Sequence, residues 1–230
     1  MKQLQLNGPL ELWKRLNYLI YEKSRNQDLY SVRESCIWSD FELEYSDIGY
    51  RREGNKLKRL TKTYLNQNEI EKFNKNRLEV LKMKKDSVLL FRFGNEEKVN
   101  TKNRIKDFCL VALTVVFIKG KLKGIEVFYR TSEITTKFMA DLIFLRDIFS
   151  NLLFLESEGI PVLFYFTKVY SKHYHFLNFV RISKKLFNED PCDKIIWGTS
   201  FVKSIKDGRK LKYKAAEKVL NLFLESEANG

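Results

Sequence analysis

Apolar residues recur at helical spacing over residues 9 to about 23, where Leu12, Trp13, Leu16, Leu19 and Ile20 form one stripe behind a proline at the first turn. A helix packed on a core is expected there. Over residues 36–45 the period shortens. Trp38, Phe41, Leu43 and Tyr45 alternate imperfectly with polar neighbours, as a half-buried strand with an irregularity near Ser39 would. Residues 57–83 are basic, with a weak helical period through Leu60, Tyr64, Ile70, Phe73, Leu78 and Leu81, and predict one or two surface helices.

The second half is more sharply patterned. Residues 87–93 (SVLLFRF) and 110–118 (LVALTVVFI) are apolar or β-branched runs of strand length, and residues 124–130 alternate through Ile125, Val127 and Tyr129. The segment KGKLKG joins the last two as a hairpin. Phe138, Met139, Leu142, Leu145, Phe149, Leu152 and Leu153 then mark a central helix over residues 135 to about 156. Gly159-Ile160-Pro161 ends it, and residues 162–166 supply another strand. Residues 176–182 read as a strand or a short helix, and residues 213–224 as a final helix after the turn at Asp207-Gly208. Hairpin strands mixed with helices predict an α+β fold with a mixed, mostly antiparallel sheet.

Composition limits what such a chain does. With 230 residues, 44% hydrophobic, it buries a real core; three prolines, ten glycines and no linker or repeat predict a single domain over 1–230. Three widely spaced cysteines, Cys36, Cys109 and Cys192, argue against a disulfide framework or a zinc site and for a reducing, cytoplasmic setting. Neither a secretory signal nor an apolar run of membrane-spanning length is recognisable, so no membrane role is expected. The formal charge of +13 is concentrated in residues 51–107, with 17 Lys or Arg against 8 Asp or Glu. That is either a nucleic-acid face or a solvated helical surface.

Candidate chemistry gathers between residues 109 and 173. In order come Cys109 before a strand, the turn Gly120-Lys121-Leu122, the cluster Arg130-Thr131-Ser132-Glu133 at the end of the return strand, Asp141 in the central helix, and Tyr170-Ser171-Lys172-His173 after the last strand. Taken together these resemble the core of the thymidylate synthase and deoxycytidylate hydroxymethylase superfamily. There a nucleophilic cysteine, a hairpin, an Arg-Ser-x-Asp motif, an Asn or Asp and a late Tyr-x-x-His follow in this order. A weaker likeness begins at Ser31-Val32-Arg33-Glu34, where family members carry a phosphate-binding arginine.

The resemblance implies a thymidylate synthase-like fold, a homodimer that buries the sheet, and one-carbon transfer to C5 of a pyrimidine nucleotide with methylenetetrahydrofolate as donor. A thiolate at Cys109 would add to C6 and drive electron density to C5. Arg130, with Arg33, would hold the phosphate, and a nearby cation favours the thiolate. A carboxylate at Asp141 suits the amino group of cytosine, where an amide suits uracil, so a dCMP-type ligand is favoured over dUMP. Tyr170 and His173 would meet the sugar, and Glu133 would orient water or a donor.

Each residue also has a plainer role open to it. Cys109 fits a small buried apolar side chain, Asp141 an ion-pair partner of Lys137 or Arg146, and Tyr170 and His173 the edge of a core. Arg130 and Glu133 fit a solvated turn, and His173 with His175 is too little for a metal site. The chain departs from the family pattern at Phe108 and Leu110, which flank the cysteine in place of Pro and His. Further departures are Tyr129, in place of an amide, and Lys168, in place of a histidine; the arginine pair before the cysteine strand and the folate insert are not recognisable. A catalytically degenerate relative that binds nucleotide or nucleic acid is therefore the second expectation, and an unrelated α+β interaction protein the third.

Overall fold

Lys119 and Gly120 both take positive φ, 51° and 71°, the backbone that a two-residue hairpin turn requires. The turn is tied down from outside: the Lys119 amide donates to Asp86 Oδ1 (2.6 Å) and the Gly120 amide to the Lys85 carbonyl (3.0 Å). This hairpin is the centre of the fold. The computed structural model describes residues 6–22, 28–48, 60–62, 64–94, 109–171, 175–189 and 191. In chain order the main elements are α1 (Pro9–Glu22), β1 (Asp28–Ile37), α2 (Gln67–Met83), β2 (Ser87–Arg92), β3 (Leu110–Ile118), β4 (Lys121–Glu133), α3 (Met139–Asp147) between π-helical turns at Ile134–Phe138 and Ile148–Leu152, β5 (Pro161–Tyr170) and α4 (Phe176–Phe187).

The five strands form one sheet in the order β1-β5-β4-β3-β2. Three neighbouring pairs are antiparallel; β4 and β5 are parallel, joined by the crossover that carries α3. The fold is thus α+β, with a mixed and mostly antiparallel sheet.

Strand alternation sends Leu89 and Phe91, Leu113, Val115 and Phe117, Val127 and Tyr129, and Phe164 and Phe166 to one face, where all are buried. The helices pack there. Phe138 meets Phe164, Phe166 and Tyr129 edge-on at 5.2–5.7 Å, Phe73 of α2 meets Phe91 at 5.8 Å, and Phe176 and Phe179 of α4 pack on Tyr21 of α1. The opposite face carries the rows Leu90–Thr114–Glu126–Leu163–Ser35 and Arg92–Ala112–Phe128–Tyr165–Arg33. Among the described residues no helix covers it.

One expectation is corrected and two are refined. The strand placed over residues 36–45 lies earlier, over β1, and the chain leaves the ladder at Trp38, whose amide donates to the Ile160 carbonyl (2.8 Å). Beyond it Trp38, Phe41, Leu43 and Tyr45 are still buried, but Arg146 rather than a neighbouring strand takes the Phe41 and Leu43 carbonyls (2.8 and 3.2 Å). The segment at residues 176–182 is helix, α4, and the central helix spans two π-helical turns around a nine-residue α-segment. The helix expected at residues 213–224 lies outside the described residues.

Candidate functional site

The cluster Arg130-Thr131-Ser132-Glu133 closes β4, and alternation divides it between two faces. Tyr129, Thr131 and Glu133 lie on the helix-bearing face; Arg130 is exposed on the other. Arg130 still touches the cysteine segment through its backbone, its amide donating to the Cys109 carbonyl (2.9 Å). Arg33 is also on the open face, its guanidinium 5.2 Å from the centre of the Tyr165 ring. The two arginines expected at a phosphate thus sit across the sheet from Thr131.

Glu133 is a cap. Its Oε1 accepts from the Thr135 amide (3.0 Å) and the Ser171 hydroxyl (3.3 Å), and its Oε2 from the amides of Thr136 (3.0 Å) and Lys137 (3.1 Å) and the Thr136 hydroxyl (2.6 Å). These amides are the orphan donors of the first helical turn. His175 Nδ1 lies 2.9 Å from Oε1. Burial opposes ionisation of this carboxyl, but the contacts with His175 and Thr136 and the Lys137 amide outweigh it and hold its pKa at about 2. Around the cap, Thr135 Oγ1 donates to Asn17 (2.8 Å) and lies 2.6 Å from the Ser171 hydroxyl, while Trp13 Nε1 donates to the Ile134 carbonyl (3.0 Å). The network joins α1 to the start of the crossover helix.

A second polar nest lies between β3, β4 and α3. Cys109 is half-buried before β3, its Sγ 3.9 Å from Thr131 Oγ1. Tyr64, in a short helical stretch ahead of α2, is buried between Phe93 and Phe144 (6.2 and 5.8 Å) and takes backbone hydrogen bonds from Leu110 and Cys109. Tyr129, paired with Leu110 in the ladder, is only 2% exposed, and among the described residues its hydroxyl meets no hydrogen-bond partner.

Asp141, 4% exposed, projects from α3. Its charge raises the pKa of Cys109, Tyr64 and Tyr129 beyond what burial does, so all three lie within its field. Arg146, one of its two expected ion-pair partners, contacts the 41–44 segment and Asp147. Burial likewise pushes the Cys109 thiol up, against a hydrogen bond with Thr131 and the Lys137 charge, which pull it down.

The structure therefore brings Cys109 and Asp141 together, with Tyr64, Tyr129 and Thr131, and leaves Glu133, Arg33 and Arg130 elsewhere. Tyr170 ends β5, where the Lys168 ammonium stands 6.0 Å from its ring centre; His173 lies outside the described residues. Tyr64 is the residue the sequence pattern missed: the helical period marked it as buried, and nothing local marked its hydroxyl as part of a site. Among the described residues no group of three His, Cys, Asp or Glu is placed to hold a metal ion, and no helix is long and apolar enough to cross a membrane.

A groove of about 560 Å³, lined by Leu65, Ile70, Phe144 and Ile148 with Lys62 and Asn151, opens beside Phe144. Neither Cys109 nor Asp141 lines it, so it does not fit a folate stacked on a base at Cys109. No family model matches the chain, and no curated protein matches it in sequence.

Proposed function

We propose that the chain is a thymidylate synthase-like protein that binds a pyrimidine nucleotide of the dCMP type between Cys109 and Asp141 and activates C5 of the base by thiolate addition at C6. The observation that carries this is the convergence of Cys109 and Asp141, 32 residues apart in sequence, in one nest with the Tyr64 and Tyr129 hydroxyls. A buried carboxylate accepts the amino group of cytosine and rejects the carbonyl of uracil. When the sulfur adds to C6, the double-bond pair moves to C5, which takes a proton from a neighbouring acid; reversal returns either hydrogen to solvent. Methylenetetrahydrofolate is the one-carbon donor that the resemblance implies; the groove beside Phe144 is not lined by Cys109 or Asp141, and the addition step needs no donor.

The test is exchange of the C5 hydrogen of dCMP with solvent deuterium, followed by proton NMR, alongside calorimetric binding of dCMP and dUMP. Preference for dCMP, its reversal in Asp141→Asn, and loss of exchange in Cys109→Ser are expected. Equal affinity for both nucleotides, unchanged by Asp141→Asn, removes base reading from Asp141.

A binding-only relative is the second reading, favoured by the raised Cys109 thiol, since a neutral thiol attacks poorly. Tight dCMP binding without any exchange selects it. Binding of nucleic acid through residues 51–107 belongs to that reading; in the described part α2 sets acidic residues among the basic ones, as in the Lys85–Glu79 pair (4.0 Å).

The partner proposed for the open sheet face is a second copy of the chain. Val88 and Leu90 of β2 are 64% and 48% exposed there, and the stacked Phe128–Tyr165 pair (5.0 Å) lies on the same face across β3. Glu126 in one row and arginines at both ends of the next give a two-fold copy opposite charges to meet.

A further inference from the structure

Cys109, Thr131, Lys168 and Tyr30 form one row across the end of the sheet. Thr131 is the ladder partner of Lys168, Lys168 is the partner of Tyr30, and Cys109 Sγ lies 3.9 Å from Thr131 Oγ1. Partners in a ladder share a face, so these side chains stand on the helix-bearing side, with Tyr129 one row deeper. With neighbouring strands about 4.8 Å apart, the β5 backbone lies about 10 Å from the β3 backbone, and the Lys168 ammonium reaches on towards β1, so a nucleotide would have to lie extended along the row to join the two.

Lys168 is the cation of this row. Its Nζ is 2.5 Å from Asp28 Oδ2 and stands over the Tyr30 and Tyr170 rings at 5.3 and 6.0 Å. Tyr30 is 65% exposed, so the two rings make an open cleft around the ammonium rather than a sealed core. Asp28 fixes the ammonium at the row, and with the Tyr30 hydroxyl it takes two of its three donors, which leaves one for a phosphate oxygen. The arginines expected to hold a phosphate are across the sheet.

We propose that Lys168 is the phosphate-binding residue of the site, receiving the monophosphate of a nucleotide whose base lies at Cys109 and Asp141, with Asp28 as a competing anion that the phosphate must displace or share. The inference rests on the nucleotide proposal above for the base and adds an anion subsite of its own. Two substitutions then act in opposite directions. Lys168→Met removes the cation and leaves the apolar stem to pack on the rings; Asp28→Asn removes the competitor and leaves the cation.

The experiment is calorimetric titration of wild type, Lys168→Met and Asp28→Asn with three probes: dCMP, deoxycytidine and inorganic phosphate. Lys168→Met is expected to weaken dCMP roughly ten-fold or more, the worth of one charge-assisted hydrogen bond, and to leave deoxycytidine unchanged. Asp28→Asn is expected to strengthen dCMP and phosphate. If Lys168→Met binds dCMP as wild type does, or Asp28→Asn weakens it, the subsite is overturned while the base site stands. Phosphate binding that depends on Lys168, with deoxycytidine unbound and dCMP no tighter than phosphate, keeps the subsite and overturns the base site. Absence of binding of all three probes to wild type overturns both.

Discussion

Replacing Glu133 with Gln separates a structural carboxylate from a catalytic one. The side chain keeps its shape, loses its charge, and turns an amide NH2 towards groups that are themselves donors. Three of those are the backbone amides of Thr135, Thr136 and Lys137, at 3.0–3.1 Å, at the start of the crossover helix. A carboxyl held at about pKa 2 against an ordinary value of 4.5 contributes about 3 kcal/mol at neutral pH, at 1.36 kcal/mol per unit. Glu133→Gln should forfeit most of that. For a chain of this size the midpoint of thermal unfolding should fall by about 10 °C.

The pH dependence carries a definite sign. Because the folded pKa is depressed, the contribution is complete above about 4.5 and is lost as pH falls from there through about 2. Urea unfolding of wild type and variant between pH 2 and 7 should therefore show a stability gap that is widest at neutral pH and closes in acid. A gap that is constant with pH, or absent, refutes the capping assignment. Unchanged stability together with lost C5 exchange would make Glu133 a catalytic group instead.

Two further outcomes follow, the first from the fold and the second from the proposed pairing of sheet faces. Gly120→Ala places a Cβ 3.0 Å from the Lys84 Cα at φ +71°, whereas Gly159→Ala, at φ +72°, meets nothing within 4 Å; in urea titrations the first should cost about 1–2 kcal/mol more than the second, and equal losses would mean that the α2 end yields freely. Leu90→Lys on the open sheet face should convert a dimer to a monomer in light scattering with little loss of monomer stability, and an unchanged dimer mass would place the interface elsewhere.

The β-hairpin and its neighbours were legible because both faces of the prediction agreed. Residues 110–118 form a strand with those limits, and Lys119-Gly120 gives the turn its two positive φ values. β1 was not legible because it is an edge strand with polar residues on both faces: Glu34 turns to Arg15 of α1 (3.2 Å) while Arg33 faces outward. Its alternation is lost in the sequence, and the aromatic alternation just beyond it belongs to irregular backbone held by one arginine. The site was legible in part for a similar reason. Cys109 and Asp141 are set by strand and helix ends whose positions follow from the pattern. Arg130-Thr131-Ser132-Glu133 read as one cluster along the chain, but period-two alternation sends Arg130 to one face and Thr131 and Glu133 to the other.

The raised thiol and the base-reading carboxylate are two parts of one device under the proposed function. Burial keeps Cys109 protonated, and the Asp141 charge adds to that, while Thr131 and Lys137 pull the other way. A cytosine amino group donated to Asp141 offsets part of the carboxylate's charge and so removes one of the influences that hold the proton on sulfur. A ligand that fails to satisfy Asp141 leaves that influence in place and meets a neutral thiol. Selection of the base and activation of the nucleophile then draw on the same charge, so a poorly paired pyrimidine is both bound weakly and attacked slowly. The buried rings of Tyr64 and Tyr129 beside Asp141 strengthen this coupling, because a charge offset near buried side chains acts through a lower effective dielectric than it would in water.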